Sequence, residues 1–185
     1  MTARVPDLRH IGEIVRFWRD AGPARWFQKD GAFDFRFRER FMRWHMAAAR
    51  RELDHWATDA EGAFALLILL DQFPRNAFRG TAHMFATDPL ARHFASGMIG
   101  AGLDRQIEPS LRLFCYLPFE HSELLIDQER SLFLHAGLDP SLGKWAQEHH
   151  RIIVRFGRFP HRNMLLGRET TAEEQDFLDK GGFAG

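Results

Sequence analysis

An all-α fold is predicted from the spacing of apolar residues. They recur at helical intervals almost throughout the chain, as in Ile11, Ile14, Val15 and Trp18, and no stretch alternates with the period of two that a half-buried strand needs. Glycine and proline fall between the periodic segments, where they would end or begin helices. About eight helices joined by short turns imply a stack of antiparallel hairpins and no sheet. At 185 residues and 45% hydrophobic, the chain fits a single all-helical domain over residues 1–185 that would bury roughly 70% of its unfolded surface.

Pro6-Asp7 opens a first helix and Gly22-Pro23 stops it. A loop with Trp26, Phe27 and Gly31 leads to a long segment over residues 33–56, with Phe33, Phe37, Phe41, Trp44 and Ala48 on one stripe. Its other side carries Arg36, Arg38, Arg40, Arg43, Arg50 and Arg51, the one strongly basic face in the chain. Thr58-Asp59 can cap a third helix over 61–72, apolar on every side from residue 63 to 70 and therefore central to the core. Thr87-Asp88-Pro89 starts a helix with proline in its first turn, and Gly100 to Gly102 end it. A short helix is expected over 108–116. Pro118 should hold Leu117 out of helical geometry, so the next helix is placed over 119–137. Another follows over 140–156. The last begins after Thr170 or Thr171, each followed three residues later by a glutamate, Glu173 or Glu174, at capping-box spacing.

Formal charge is balanced, 25 basic against 25 acidic residues, so no global field recruits nucleic acid or an anionic membrane. Only Lys29, Lys144 and Lys180 are lysines, which leaves 22 of the 25 basic residues as arginine, whose planar fork suits carboxylate and phosphate. Cys115 is the lone cysteine, so no internal disulfide forms, and its apolar neighbours Phe114 and Tyr116 mark it as a buried, inert thiol. The N-terminus has no apolar signal region, and the run from residue 63 to 70 is far short of the about 20 residues of a membrane span. A cytoplasmic, soluble protein is expected.

The most informative feature is a repeated loop. LLDQFPRN at 69–76 is echoed by RFGRFPHRN at 155–163, and in each copy a glycine stands four residues past the asparagine, Asn76 to Gly80 and Asn163 to Gly167. Asp71, Gln72, Arg75 and Asn76 from the first copy, with Arg158, His161, Arg162 and Asn163 from the second, are the candidate ligand-binding residues. They suit an oxyanion, held by guanidinium groups and an amide. They suit equally an internal ion pair, with Asp71 facing Arg158 or Arg162. A third cluster, YLPFEHSE at 116–123, places Glu120 and Glu123 beside His121. With His149 on the apolar face of its helix, these are the candidate catalytic residues, an acid–base set. The alternative is that Glu120 and Glu123 simply stabilise a helix N-terminus. A metal site is disfavoured, because the spacing lacks Glu-x-x-His and His-Glu-x-x-His, and no cofactor is implied. His10, His45, His55, His83, His93 and His135 lack such company and are given no role.

The segments LLDQFPRN, YLPFEHSE and RFGRFPHRN in that order, with LGR-x-T-x-x-E from Leu166 and WF-x-KD-x-x-FD from Trp26, resemble a bacterial family, domain of unknown function 924. The resemblance spans nearly the whole chain. It implies a tetratricopeptide-like all-helical fold, although the 34-residue tetratricopeptide signature itself is absent, and brings no activity or cofactor. The chain departs where the family often has an acidic pair after His-Ser: only Glu123 remains, followed by Leu124.

Three functions follow as expectations. The first is a helical-hairpin scaffold with one polar cleft that binds a small anionic ligand or an acidic peptide. The second is a hydrolase or transferase using His121 or His149 with Glu120 or Glu123. In the third, a protein partner occupies a groove and the motifs only brace loops. Nucleic acid is disfavoured as a partner, since the aromatics of the basic helix belong to the core.

Overall fold

The computed structural model describes residues 5–138 and 140–185, and among these residues every regular element is helical. The chain forms two compact units, one of residues 1–79 and 83–118, the other of residues 80–82 and 119–185. No helix among the described residues is long and apolar enough to cross a membrane.

In the first unit, α1 (Val5–Ala21) buries Ile11, Ile14, Val15 and Trp18 on one face. It stops where Gly22 turns to φ +70°, and Pro23 starts the short α2 (Pro23–Trp26). The Trp26 indole then donates to the Trp18 carbonyl at 2.7 Å. Asp30 caps α3 (Gly31–Ala49), its carboxylate accepting from the Ala32 and Phe33 amides. The expected stripe is buried at Phe33, Phe37, Phe41 and Ala48. However, α3 ends well short of residue 56. Arg51 turns left-handed at φ 64°, a task that glycine usually performs, and a separate 3₁₀ turn, Asp54–Thr58, follows.

Helix α4 (Ala60–Leu67) is capped by Asp59 and buried along its apolar length, as the sequence predicts. A side chain at Gly62 would collide with the Trp56 carbonyl, so only glycine lets the 3₁₀ turn close on α4. The helix then widens into a π turn, Ile68–Gln72, before α5 (Phe73–Ala77). Pro74 explains the widening: it has no N–H for the Leu70 carbonyl, and its ring would clash there in an α-helix. The Phe73 amide bonds Ile68 instead, and the two carbonyls left over find side chains. His45 Nδ1 donates to Leu69 O at 2.9 Å and the Thr87 hydroxyl to Leu70 O at 2.5 Å. Thr87 therefore precedes α6 (Asp88–Gly100) without capping it through its hydroxyl. The helix expected over 108–116 is reduced to a 3₁₀ turn, Arg112–Cys115. Cys115 is buried, and desolvation first, then Asp104, pushes its thiol up, away from the reactive thiolate.

Helix α7 (Leu117–Glu120) corrects the next expectation, since Leu117 is helical and Pro118 occupies the first turn, where its missing N–H costs nothing. It does not continue to residue 137. The Gln128 side chain donates to the carbonyls of Glu120 and Ser122 at 2.7 and 2.6 Å, satisfying the end of α7, and Ser122 donates to Asp127 at 2.6 Å. Only then does α8 (Leu125–His135) begin. It packs against α9 (Pro140–Phe156). Gly157 at φ +70° ends α9, a 3₁₀ turn Pro160–Arg162 follows, and α10 (Ala172–Asp179) starts from a full capping box of Thr171 and Glu174. Ile152, Ile153 and Phe159 form the core of this unit with Phe156, Phe177 and Phe183.

Candidate functional site

The second repeat is folded inward. With Gly157 turning the chain, Arg158 reaches Glu174 through two hydrogen bonds of 2.6 and 2.8 Å and spends a third donor on the Glu169 carbonyl. Arg158 thus finds its carboxylate in Glu174, within its own unit. Glu174 is only 2% exposed. Hydrogen bonds from Arg158, then from Thr171 and Asn163, outweigh that burial and hold its carboxyl down at about 2. Arg162 is buried, donates to the His121 carbonyl at 3.0 Å and lies over the Phe159 ring at 4.5 Å. Asn163 reaches Glu174 at 3.3 Å.

Glu123 belongs to the same brace. Arg168 grips it with two hydrogen bonds of 2.8 and 2.9 Å, and the Phe159 amide adds a third at 2.8 Å. Burial raises its carboxyl, but Arg168 and this amide prevail and leave it below the usual carboxylate range. Arg168 stands in the LGR segment, yet its partner is 45 residues away, a pairing that no local spacing reveals.

Glu120 points elsewhere. It is the last residue of α7, at the C-terminal end of a helix, so the N-terminal dipole offered as its explanation does not apply. Its carboxylate lies 3.3 Å from His135 Nε2 and 3.3 Å from His149 Nδ1, all three side chains being buried. His135, given no role above, is thus a neighbour of the candidate set. The signal was a buried polar stripe on α8, Gln128, Ser131 and His135, at helical spacing. His135 Nδ1 is 2.8 Å from the Ser131 carbonyl, which can only accept, so Nδ1 carries a proton. In the neutral ring Nε2 then aims a lone pair at Glu120. Burial lowers the His135 imidazole, which favours that neutral form.

His149 Nδ1 likewise donates to its own helix, to Trp145 O at 2.8 Å. Its ring meets the edges of Phe159 and Phe183 at 5.3 and 4.5 Å. His161 sits beside the same two rings, at 5.6 and 5.1 Å. Its Nδ1 is buried without a hydrogen-bond partner among the described residues. Burial first, then Arg162 and His149, push this imidazole down to about 3, so it is neutral at physiological pH. Among the described residues no group of three or more His, Cys, Asp or Glu side chains is placed to hold a metal ion.

The first repeat is braced in its own unit. Arg75 forks onto Asp88 at 2.9 and 3.0 Å, and also meets Asp71, through its carbonyl at 2.8 Å and its carboxylate at 3.3 Å. Gln72 donates to Asp71 at 2.6 Å and Asn76 to the Gln72 carbonyl at 2.9 Å. Arg79 continues the chain of contacts, from Asn76 to Asp34. Two surface depressions in this unit, of about 280 and 470 Å³, are lined by none of these residues.

The fold has a solved counterpart. A protein of unknown function from Agrobacterium tumefaciens is 53% identical in sequence and superposes with a TM-score of 0.92, over 94% of this chain and 99% of that one. No curated protein matches the chain. The model of a family described as bacterial proteins of unknown function, DUF924, matches residues 14–182. On that match over nearly its whole length, the chain belongs to the DUF924 family.

Proposed function

We propose that this protein is a helical-hairpin scaffold that engages a protein partner, and that its repeated segments are internal braces rather than an anion-binding cleft. The observation that carries this reading is how Arg75 and Arg158 spend their charge: each forks onto a carboxylate of its own unit, Asp88 and Glu174. An arginine committed in this way offers little to an incoming ligand without first leaving a buried carboxylate unpaired. The arginines Arg75 and Arg158 go into holding loops, while apolar capacity is left on the outside. On α8, Ile126 and Phe133 are 69% and 80% exposed and seven residues apart, hence on one face, with Leu125 beside them. Exposed apolar surface of this kind marks interaction sites.

Photo-crosslinking in the native cell tests the proposal. A crosslinker at position 133 should trap one discrete protein adduct, and one at position 158 should trap none. No adduct at 133, together with a small-molecule thermal shift that Arg158→Ala abolishes, would replace the scaffold with the anion cleft.

A second reading, acid–base catalysis, is favoured by the buried set of Glu120, His135 and His149. A buried carboxylate set between two buried imidazoles, 3.3 Å from each, is an arrangement that a proton-transfer centre can use. If the protein turns over any substrate, Glu120→Gln should abolish turnover with the fold intact.

A further inference from the structure

We propose that the groove between α1 and α3 is a binding site for a small phosphate-bearing ligand, held by Arg16, Arg25, Arg36 and Arg40. None of these residues belongs to the repeated segments, so the inference is independent of the reading above.

The helical repeat builds the groove. On α1, Glu13, Arg16, Phe17 and Asp20 are spaced three, four and seven residues apart and share one face, and on α3 Phe33, Arg36 and Arg40 do the same. Phe17 stacks on Phe33 and Phe37 at 5.2 Å each, which fixes the two helices and makes an aromatic floor. Around it lies a depression of about 280 Å³, close to the lower end of the roughly 300–1,000 Å³ of small-molecule sites.

The convergence of four arginines on one depression distinguishes this groove from an ordinary solvated face. Several exposed arginines elsewhere meet carboxylates: Arg19 with Glu108, Arg50 with Glu52, Arg51 with Asp54, Arg151 with Glu148 and Arg155 with Glu173. Arg38 and Arg43 lie instead over the Phe78 and Trp44 rings, and neither lines the groove. The four arginines of the groove form no ion pair within 4 Å among the described residues. Arg40 lies over the Phe17 ring at 5.3 Å, and Arg16 makes only a 3.4 Å bond to its own helix at Gly12. Arg36 and Arg25 act on Asp30 from a distance, after the Phe33 and Ala32 amides have already lowered its carboxyl.

Of the two acids in the groove, Glu13 is taken by Arg9 at 3.1 Å and His10 at 3.5 Å, which leaves Asp20 as the one uncommitted carboxylate. Four guanidinium groups against one carboxylate call for a ligand with two or more negative charges. Planar forks match phosphate oxygens, and the small volume favours a mono- or diphosphate group over a nucleic-acid strand.

Calorimetric titration of the full chain at low salt, about 50 mM so that screening is modest, tests this with inorganic phosphate, pyrophosphate and adenosine monophosphate as probes. Saturable binding of at least one probe is expected. It should weaken about tenfold or more in the Arg36→Gln/Arg40→Gln variant, a change of about 1.4 kcal/mol. It should be unchanged in Arg151→Gln, an exposed arginine of the other unit. Pyrophosphate binding alone would identify the phosphate group as the whole ligand. Stronger binding of the monophosphate ester would show that the aromatic floor is used too. Silence with all three probes, or equal binding by the double variant at unchanged melting temperature, would overturn the site. So would binding restricted to an RNA oligonucleotide, since the groove would then be part of a polyanion-binding face.

Discussion

Arg158 and Glu174 face each other through two parallel hydrogen bonds, 2.6 and 2.8 Å long, across a gap of 16 residues in sequence. The carboxylate is buried and the guanidinium partly exposed, so the pair locks the end of α9 to the start of α10. Glu174 also closes the capping box with Thr171 and receives Asn163. One carboxylate thereby joins the RFGRFPHRN segment to the last helix.

This pair makes stability depend on pH in the acid range. The Glu174 carboxyl is held at about 2, below its ordinary 4.5. A depressed carboxyl contributes stability that is complete above the unfolded value and is lost as pH falls through the folded one. The stability gap between wild type and Glu174→Gln should therefore be constant above about pH 5 and shrink between pH 4.5 and 2. Urea melts at a series of pH values measure it, and a gap that widens on acidification would contradict the assignment.

His161 acts in the same direction in a higher window. Its imidazole is lowered from 6.5 to about 3, so below 6.5 the unfolded chain takes up a proton that the folded one refuses, and stability falls with pH. Nitrogen-15 spectra of the histidine rings should show His161 neutral at pH 5, where an ordinary histidine is largely protonated. The variant His161→Phe should lose this part of the pH dependence.

Thr87 carries a prediction about the π turn. Its hydroxyl is the hydrogen-bond donor to the Leu70 carbonyl that Pro74 cannot satisfy. Thr87→Val keeps the shape and removes the donor, which should cost about 1–3 kcal/mol. A change below about 0.5 kcal/mol in chemical denaturation would show that the carbonyl finds another partner.

Gly62 tests the closest approach in the first unit. Its position leaves no room for a side chain against the Trp56 carbonyl. Gly62→Ala should lower stability by about 1–3 kcal/mol, even though alanine is the better helix former. An unchanged or higher melting temperature would mean that the 3₁₀ turn shifts freely.

Much of the helical plan was legible because its punctuation is local. Gly22-Pro23, the Asp59 cap, Gly157 and the Thr171–Glu174 box act on residues within four positions of themselves. The breaks that were missed use other devices. Arg51 takes a glycine's conformation, Gln128 ends α7 from a helix away, and the π turn preserves the apolar pattern while shifting its hydrogen bonds. The partners of the candidate residues were not legible. Asp88, Arg168, Glu174 and His135 are brought to them by tertiary packing over 13, 45, 16 and 15 residues, distances at which sequence spacing carries no geometric information.

The brace is tested most directly by a double-mutant cycle of Arg158→Ala and Glu174→Ala, read by chemical denaturation with a thermal-shift screen of anions on each variant. Arg158→Ala should lower stability measurably, because it strands a buried carboxylate. The double variant should cost less than the sum of the single ones, with no anion responding differently among the four proteins. Additive, near-zero stability changes, together with an anion that stabilises only proteins retaining Arg158, would show that this arginine serves a ligand and not the fold.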